Sequence, residues 1–191
     1  MLDHFDLLAP LYDSIFARKG APVLVGLVDP QFGHRLLDVG GGTGRIAQFF
    51  ADRVSSVCIL DPSPGMLREG RRKGICIAQG VAEGMPFADQ VFDRIIVVDA
   101  FHHLRDQPQA AAELMRVLKA GGRLVIEEPD IAHPAVKLIA LGEKLLLMRS
   151  RFFSGDEIVE MFERMGCPAR VVRRNATIWV VVEKSLLRDN H

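Results

Sequence analysis

The chain has 191 residues, of which 49% are hydrophobic and 25% are charged, so we expect a single domain with a full hydrophobic core. Lys plus Arg and Asp plus Glu each number 24, which gives a formal net charge of zero and no basic excess of the kind that favours binding to nucleic acid. No apolar run reaches the roughly 18 residues of a membrane span. The start of the chain is acidic, unlike a signal peptide. These features predict a cytoplasmic protein without stable membrane insertion.

Residues 1–33 precede the first predicted strand and form a candidate lid segment. From residue 34 onward, short β-rich runs alternate with longer helical ones, which indicates a parallel α/β sheet covered on both faces. The predicted strands are Arg35–Val39, Ser56–Leu60, Ile75–Gln79, Asp93–Val98 and Arg123–Glu127. The predicted helices between them are Arg45–Ala51, Pro64–Lys73 and Gln107–Leu118.

The last third of the chain has a different pattern. Residues 129–153 form a second candidate lid, within which Ala135–Met148 has apolar side chains at helical spacing. This helix could pack on the core, line a lipophilic pocket or form a homodimer surface. Ser154 and Glu157 have capping-box spacing and predict a helix start. Ala169–Arg174 and Thr177–Glu183 are separated by only two residues, so we expect an antiparallel hairpin at the end of the sheet.

Three cysteines occur in the sequence, Cys58, Cys76 and Cys167, and none of them is part of a CxxC pair. Their odd number and their spacing give little support to a disulfide framework or a structural zinc site. We therefore predict that all three are buried as small hydrophobic residues and that the chain holds no metal ion.

A glycine-rich turn follows the first predicted strand directly, in the segment Leu36–Arg45. Glycines allow the backbone to approach a ligand closely, and the turn leads into N–H groups that can bind polar ligands. A tight turn without a ligand is the alternative. Arg45 stands where a dinucleotide fingerprint requires Gly or Ala, which argues against a nicotinamide cofactor. Asp61, at the end of the second strand, could bind ribose hydroxyls or could simply mark the entry to a helix.

At this point the sequence resembles the class I S-adenosylmethionine-dependent methyltransferases, in the branch that includes the ubiquinone and menaquinone biosynthesis C-methyltransferases. The similar segments, in chain order, are Leu36–Phe50, Leu60–Leu67, Ala82–Phe87 leading into Phe92–Asp93, and Arg116–Leu124. The resemblance implies a Rossmann-like, doubly wound sheet of seven strands, mostly parallel, with the last strand antiparallel. It also implies S-adenosylmethionine as the cofactor of a single domain over residues 1–191.

The resemblance assigns cofactor-binding roles to nine positions. The methionine part of the cofactor would lie among Asp38, Gly40, Gly42 and Thr43. The ribose would bind Asp61. The adenine ring would lie between Met66 on one side and Val81 and Ala82 on the other, with Val98 beside them at the end of the fourth strand. Many relatives carry an acidic or amide residue at the position of Val81, so here the contact to the adenine amino group is either lost or made by the backbone or Glu83. In the N-terminal lid, Tyr12 matches the quinone branch, whereas Leu11 replaces its usual basic residue.

Candidate catalytic groups follow the fourth and fifth strands, because ligands bind beyond the carboxyl ends of parallel strands. His102 and His103 are adjacent there, and we choose His103 as a base or orienting group, with a purely structural role as the alternative. Glu127 and Glu128 point to opposite faces of a strand, so at most one enters the pocket, and a solvated rim is expected. The segment that ends the fourth strand, Val98–Phe101, contains neither an Asp/Asn-Pro-Pro-aromatic motif nor a cysteine. This argues against methylation of base or glutamine amide nitrogens and of cytosine C5.

These features together predict methyl transfer from S-adenosylmethionine to a carbon or oxygen of a small, hydrophobic or aromatic molecule, by in-line attack on the sulfonium methyl group. Two alternatives remain open. One is a nicotinamide-dependent oxidoreductase, and the other is a non-catalytic protein that binds S-adenosylmethionine.

Overall fold

A computed structural model describes residues 21–133 and 152–186. They form a seven-stranded sheet with the order β3-β2-β1-β4-β5-β7-β6. The strands are β1 (Arg35–Val39), β2 (Ser56–Asp61), β3 (Cys76–Gln79), β4 (Phe92–Val98), β5 (Leu118–Pro129), β6 (Ala169–Arg174) and β7 (Thr177–Glu183). The α-helices are α1 (Ala21–Val28), α2 (Pro64–Arg72), α3 (Gln107–Val117) and α4 (Gly155–Glu163), and short 3₁₀ turns lie at Ala47–Phe50 and Phe101–His103. In the described part of the chain, no helix is long and apolar enough to cross a membrane.

The pairing of the strands confirms the predicted fold class. Strands β1 to β5 pair in parallel, β7 pairs antiparallel with β5, and β6 pairs antiparallel with β7. The hairpin between β6 and β7 forms as expected, since two residues are too few for a parallel crossover. One of them, Asn175, has a positive φ of 54°, a conformation that Asn tolerates in tight turns.

Two elements differ from their prediction. The segment after the glycine-rich turn forms only the 3₁₀ turn Ala47–Phe50 instead of a full helix, with the Phe49 N–H donating to the Ile46 carbonyl at 3.0 Å. Strand β5 begins at Leu118 rather than Arg123, because Leu118 pairs with Phe92 before the chain loops out and Arg123 pairs with Arg94. The paired glycines at 121 and 122 lie in that loop, where Gly121 has a φ of 74°.

Apolar side chains from both faces of the sheet form two core layers. Helices α3 and α4 bury Leu114 and Phe162 on one face. Helix α1 buries Leu24 and Val28 on the other, beside Trp179 of β7. Residues 21–28 therefore pack on the sheet, although they belong to the segment predicted as a lid. The remaining lid predictions, for residues 1–20 and for the apolar helix at 135–148, lie outside the described residues.

Local signals at the helix starts agree with the structure. Ser154 caps α4 in a complete capping box with Glu157, and Ser63 caps α2 by accepting a hydrogen bond from the Met66 N–H at 3.1 Å. The prediction for the cysteines holds for two of the three. Cys58 and Cys167 are buried, but Cys76 is exposed, because it lies on β3 at the edge of the sheet.

Candidate active site

A cavity of about 310 Å³ opens at the carboxyl ends of β1, β2 and β4. Parallel strands bring the loops that follow them to one edge of the sheet, so residues distant in sequence meet there. All nine predicted cofactor-binding residues and His103 line this cavity: Asp38, Gly40, Gly42, Thr43, Asp61, Met66, Val81, Ala82, Val98 and His103. Other lining residues that sequence reasoning did not select include Arg45, Ser63, Asp99, Ala100, Leu104 and Arg105.

The turn after β1 requires glycine at its first position. Gly40 has a φ of 70°, and a Cβ atom there would lie 2.6 Å from the Cβ of Ala100. That distance is too short for any side chain, so a glycine is needed both for the backbone conformation and for the close approach of the two loops. Because Gly40, Gly41 and Gly42 have no side chains, the backbone of this turn faces the cavity directly.

The carboxylate of Asp61 holds two loops of the cavity together. Its Oδ2 accepts a hydrogen bond from the Gly42 N–H at 3.0 Å, and its Oδ1 accepts one from the Ser63 N–H at 2.8 Å. Both hydrogen bonds come from backbone N–H groups, so they fix the orientation of the carboxylate at the edge of the cavity. Asp61 is therefore held rigidly in the place and orientation expected of a ribose-binding residue.

Asp38 is a buried carboxylate at the base of the glycine-rich turn, only 1% exposed. Its Oδ2 has no hydrogen-bond partner within the described residues. Burial, followed by the nearby charge of Asp61, raises the pKa of Asp38 to about 7, while Arg45 opposes this shift. A buried carboxylate oxygen without a partner is unfavourable unless a ligand supplies one. The cavity thus fits a ligand that carries positive charge or donors near Asp38.

The opposite end of the cavity has an apolar lining. Met66 and Ala82 are buried, whereas Val81 is 45% exposed. Glu83 lies beside them, but its Oε1 accepts the backbone N–H groups of Arg105, at 2.7 Å, and Asp106, at 3.2 Å. That oxygen therefore connects the loop after β3 to the loop before α3.

The loop after β4 is held against the end of β5 by Glu128. Its Oε1 accepts the Phe101 N–H at 2.8 Å, and its Oε2 pairs with Nδ1 of His102. The expected solvated rim is wrong, since Glu127 and Glu128 are 1% and 3% exposed. The loop that Glu128 holds covers its side chain, and the strand that carries both acids is an interior one, between β4 and β7.

The two adjacent histidines have different environments. His102 is buried, and its ring stacks on Phe152 with a centroid distance of 4.5 Å and an interplanar angle of 12°. His103 is exposed and lies against the cavity, with its ring 4.0 Å from that of His102. Sequence reasoning missed the pairing of His102 with Glu128. The parallel order of the fourth and fifth strands was the only available signal for it, because it brings the two strand ends together.

The sheet order, the bare turn after β1 and the acidic residue that ends β2 define a protein of the doubly wound α/β class with a nucleoside-cofactor cavity. Comparison with known proteins narrows this class. Residues 37–126 match the methyltransferase domain family. The matched residues, 37–126, belong to the S-adenosylmethionine-dependent methyltransferases, and S-adenosylmethionine is the cofactor of this family.

The individual relatives of this chain bear the names of methyltransferases. The chain is 38% identical over 133 residues to a demethylmenaquinone methyltransferase of Thermobifida fusca, covering 66% of this chain and 56% of that protein. It is 34% identical over 140 residues to a ubiquinone/menaquinone biosynthesis C-methyltransferase of Bordetella avium, covering 68% and 54%. The chain thus spans about half the length of these relatives.

The fold is also that of solved structures. A methyltransferase chain in a complex with the Trm112 methyltransferase activator of Haloferax volcanii superimposes with a TM-score of 0.85 at 17% identity, over 97% of this chain and 99% of that one. This likeness establishes the same architecture for the described residues. Together with the family match, it leaves no support for the nicotinamide-dependent alternative.

Proposed function

We propose that this protein transfers a methyl group from S-adenosylmethionine to a carbon or oxygen atom of a small hydrophobic or aromatic molecule. The observation that carries the proposal is the buried carboxylate of Asp38. This residue lines the cavity with the glycine-rich turn, and its Oδ2 lacks a hydrogen-bond partner in the described part of the chain. The methionine end of S-adenosylmethionine carries an ammonium group and a sulfonium centre, and either cation would compensate this buried negative charge.

The chain's own residues would hold the cofactor by parts. Asp61 would accept hydrogen bonds from the ribose hydroxyls while keeping its bonds to Gly42 and Ser63. Met66 and Ala82 offer apolar surface to the adenine ring. Gly40, Gly42 and Thr43 line the cavity, and the methionine carboxylate would lie against them.

Bound S-adenosylmethionine supplies an already activated methyl group. The protein must therefore align the acceptor atom behind that group and exclude water, and these two effects can lower the barrier without a further activating group. The loop after β4 lies where this alignment would take place, and the Glu128 contacts to Phe101 and His102 hold it in one conformation. A preorganised loop loses little entropy when the acceptor binds.

A reduced quinone-like ring is the acceptor that we infer. The curated relatives bear the names of demethylmenaquinone and ubiquinone/menaquinone methyltransferases, and the apolar side chains of Val98 and Leu104 line the cavity. A hydroxyl on such a ring increases electron density on the adjacent carbon when it loses its proton. His103, exposed against the cavity, is the side chain that we propose takes this proton.

Calorimetric titration with S-adenosylmethionine and S-adenosylhomocysteine tests the cofactor, with NAD and NADP as controls. Micromolar binding of the first pair alone supports the proposal, whereas binding of the dinucleotides alone contradicts it. A methyl-transfer assay with a short-chain analogue of reduced demethylmenaquinone then tests the acceptor. Tight cofactor binding without turnover of any aromatic acceptor would favour the non-catalytic alternative.

A further inference from the structure

Two cysteine side chains meet between neighbouring strands below the cavity. Cys58 of β2 and Cys76 of β3 are partners in the parallel register, so their side chains lie on the same face of the sheet. Their Sγ atoms are 3.0 Å apart. Both thiols are free, and their spacing requires only a short further approach to reach bonding distance.

The two thiols differ in accessibility. Cys76 is exposed, on the edge strand, while Cys58 is buried in the core between β1 and β3. Burial raises the pKa of Cys58 to about 12, so Cys58 stays protonated while Cys76 meets solvent first. This arrangement of an accessible thiol beside a second, buried one is typical of cysteines that form a reversible disulfide.

We propose that Cys58 and Cys76 form a redox-modification site, which a low-molecular-weight disulfide such as glutathione disulfide converts to an intramolecular disulfide. The Cys76 thiolate attacks one sulfur of the oxidant, forming a mixed disulfide and releasing one glutathione thiolate. The Cys58 sulfur then attacks Sγ of Cys76, loses its proton to solvent and releases the second glutathione thiolate. Two protein thiols are oxidised and one glutathione disulfide is reduced to two thiols, so electrons and atoms balance.

The site is linked to the cofactor cavity through both strands. Three positions beyond the cysteine pair, Asp61 is the register partner of Gln79, a separation of roughly 10 Å along the strands. The Gly80 N–H donates to the Asp61 carbonyl at 3.2 Å. A disulfide between β2 and β3 would therefore form on the strand that carries Asp61. Formation of the disulfide itself does not require the cofactor.

Peptide mapping tests the proposal directly, because trypsin separates the three cysteines. Cys58 lies in the peptide 54–68, Cys76 in 74–94 and Cys167 in 165–170. The reduced, folded full chain is incubated with glutathione disulfide, its remaining thiols are blocked with a maleimide under denaturing conditions, and the digest is analysed by mass spectrometry. We expect the first two peptides to be joined in most molecules, the third to carry maleimide, and dithiothreitol to reverse the linkage.

Three variants make the outcome decisive. In Cys58→Ser, Cys76 should accumulate the glutathione mixed disulfide, because no second thiol displaces it. In Cys76→Ser, Cys58 should stay reduced, and Cys167→Ser should form the same linkage as the parent protein. Glutathione retained on Cys76 of the parent protein, or all three thiols blocked by maleimide, would overturn the proposal. Circular dichroism before digestion shows that the chain is folded while the linkage forms.

Discussion

At the scale of single residues, the cavity is dominated by two carboxylates with different environments. Asp61 has hydrogen bonds to two backbone N–H groups, whereas Asp38 is buried with one oxygen unpartnered among the described residues. The first is held in place by the protein, and the second needs a ligand to complete its contacts. This difference leads to distinct expectations for the two side chains.

Cofactor affinity should depend on pH through Asp38. Its pKa of about 7 in the free protein means that the carboxyl is protonated below this value and charged above it. Because a cationic ligand favours the charged form, we expect the Kd for S-adenosylmethionine to fall about tenfold between pH 6 and pH 8. The stability of the free protein depends on pH in the opposite direction. The unfolded chain releases this proton near the ordinary value of 3.8, so stability declines as the pH rises from there to about 7.

Calorimetry at several pH values measures this dependence. The matched variant is Asp38→Asn, which keeps the size of the side chain but removes its titration. Its Kd should be weaker and nearly constant between pH 6 and pH 8. An unchanged slope in this variant would show that another group titrates.

Asp61→Ala should weaken S-adenosylmethionine binding at least tenfold. The substitution removes charge-assisted hydrogen bonds to the ribose that contribute roughly 1.5–3 kcal/mol. Calorimetry gives the Kd, and thermal unfolding shows whether the loops held by this carboxylate still fold. Asp89→Ala is the control, because Asp89 is an exposed carboxylate paired with Arg116 away from the cavity. Equal affinities for the two variants would contradict the ribose assignment.

His103→Ala should slow methyl transfer by about 10²–10⁴-fold, the range expected for loss of a general base. The Kd for S-adenosylmethionine should stay nearly unchanged. Single-turnover kinetics with a saturating cofactor measures the chemical step. Full activity in the variant would leave His103 with a structural role.

At the scale of elements, the shape of the cavity depends on the close approach of the turn after β1 to the loop after β4. Two glycines of the chain separate the effects of backbone strain and of crowding. Gly40 and Gly74 have φ values of 70° and 74°, but a Cβ at Gly40 would lie 2.6 Å from that of Ala100, whereas Gly74 has open space around it. Alanine at either position meets the same conformational penalty of about 1–2 kcal/mol.

Gly40→Ala should therefore lose at least tenfold in affinity for S-adenosylmethionine, since the loop after β4 must move away from the turn. Gly74→Ala should keep the parent Kd and show only a moderate loss of stability. Urea denaturation together with calorimetry distinguishes the two effects. Similar affinities in both variants would mean that the contact between Gly40 and Ala100 has no part in shaping the cavity.

At the scale of the whole molecule, the cavity lies across the ends of several strands, so a bound cofactor should stabilise the whole domain. At 100 times its Kd, a ligand that binds only the folded state adds about 2.7 kcal/mol to the free energy of unfolding. For a domain of this size, that corresponds to a rise in Tm of about 5–10 °C. Differential scanning fluorimetry measures the shift, and NADP at the same concentration should give none. A shift well below this range at saturation would point to local rather than global coupling.

Much of the site could be predicted because its residues follow strand ends directly. Asp38, Asp61 and Val98 each lie at or near the carboxyl end of a strand, and parallel pairing brings such positions to one edge. The prediction was less successful where the outcome depended on which elements are neighbours. Glu128 is buried by the loop that it holds, a contact with no periodic pattern in the sequence.

The amino-acid sequence alone determined the alternation of strands and helices, the hairpin at the end of the sheet and the residues that line the cavity at the carboxyl ends of the strands. These depend on local periodicity, turn length and chain order. Tertiary structure alone decided the packing of α1 on the sheet, the pairing of His102 with Glu128 and the approach of Cys58 to the exposed Cys76. The physical reason is that these contacts arise from strand order and register, which bring together side chains that no local pattern connects.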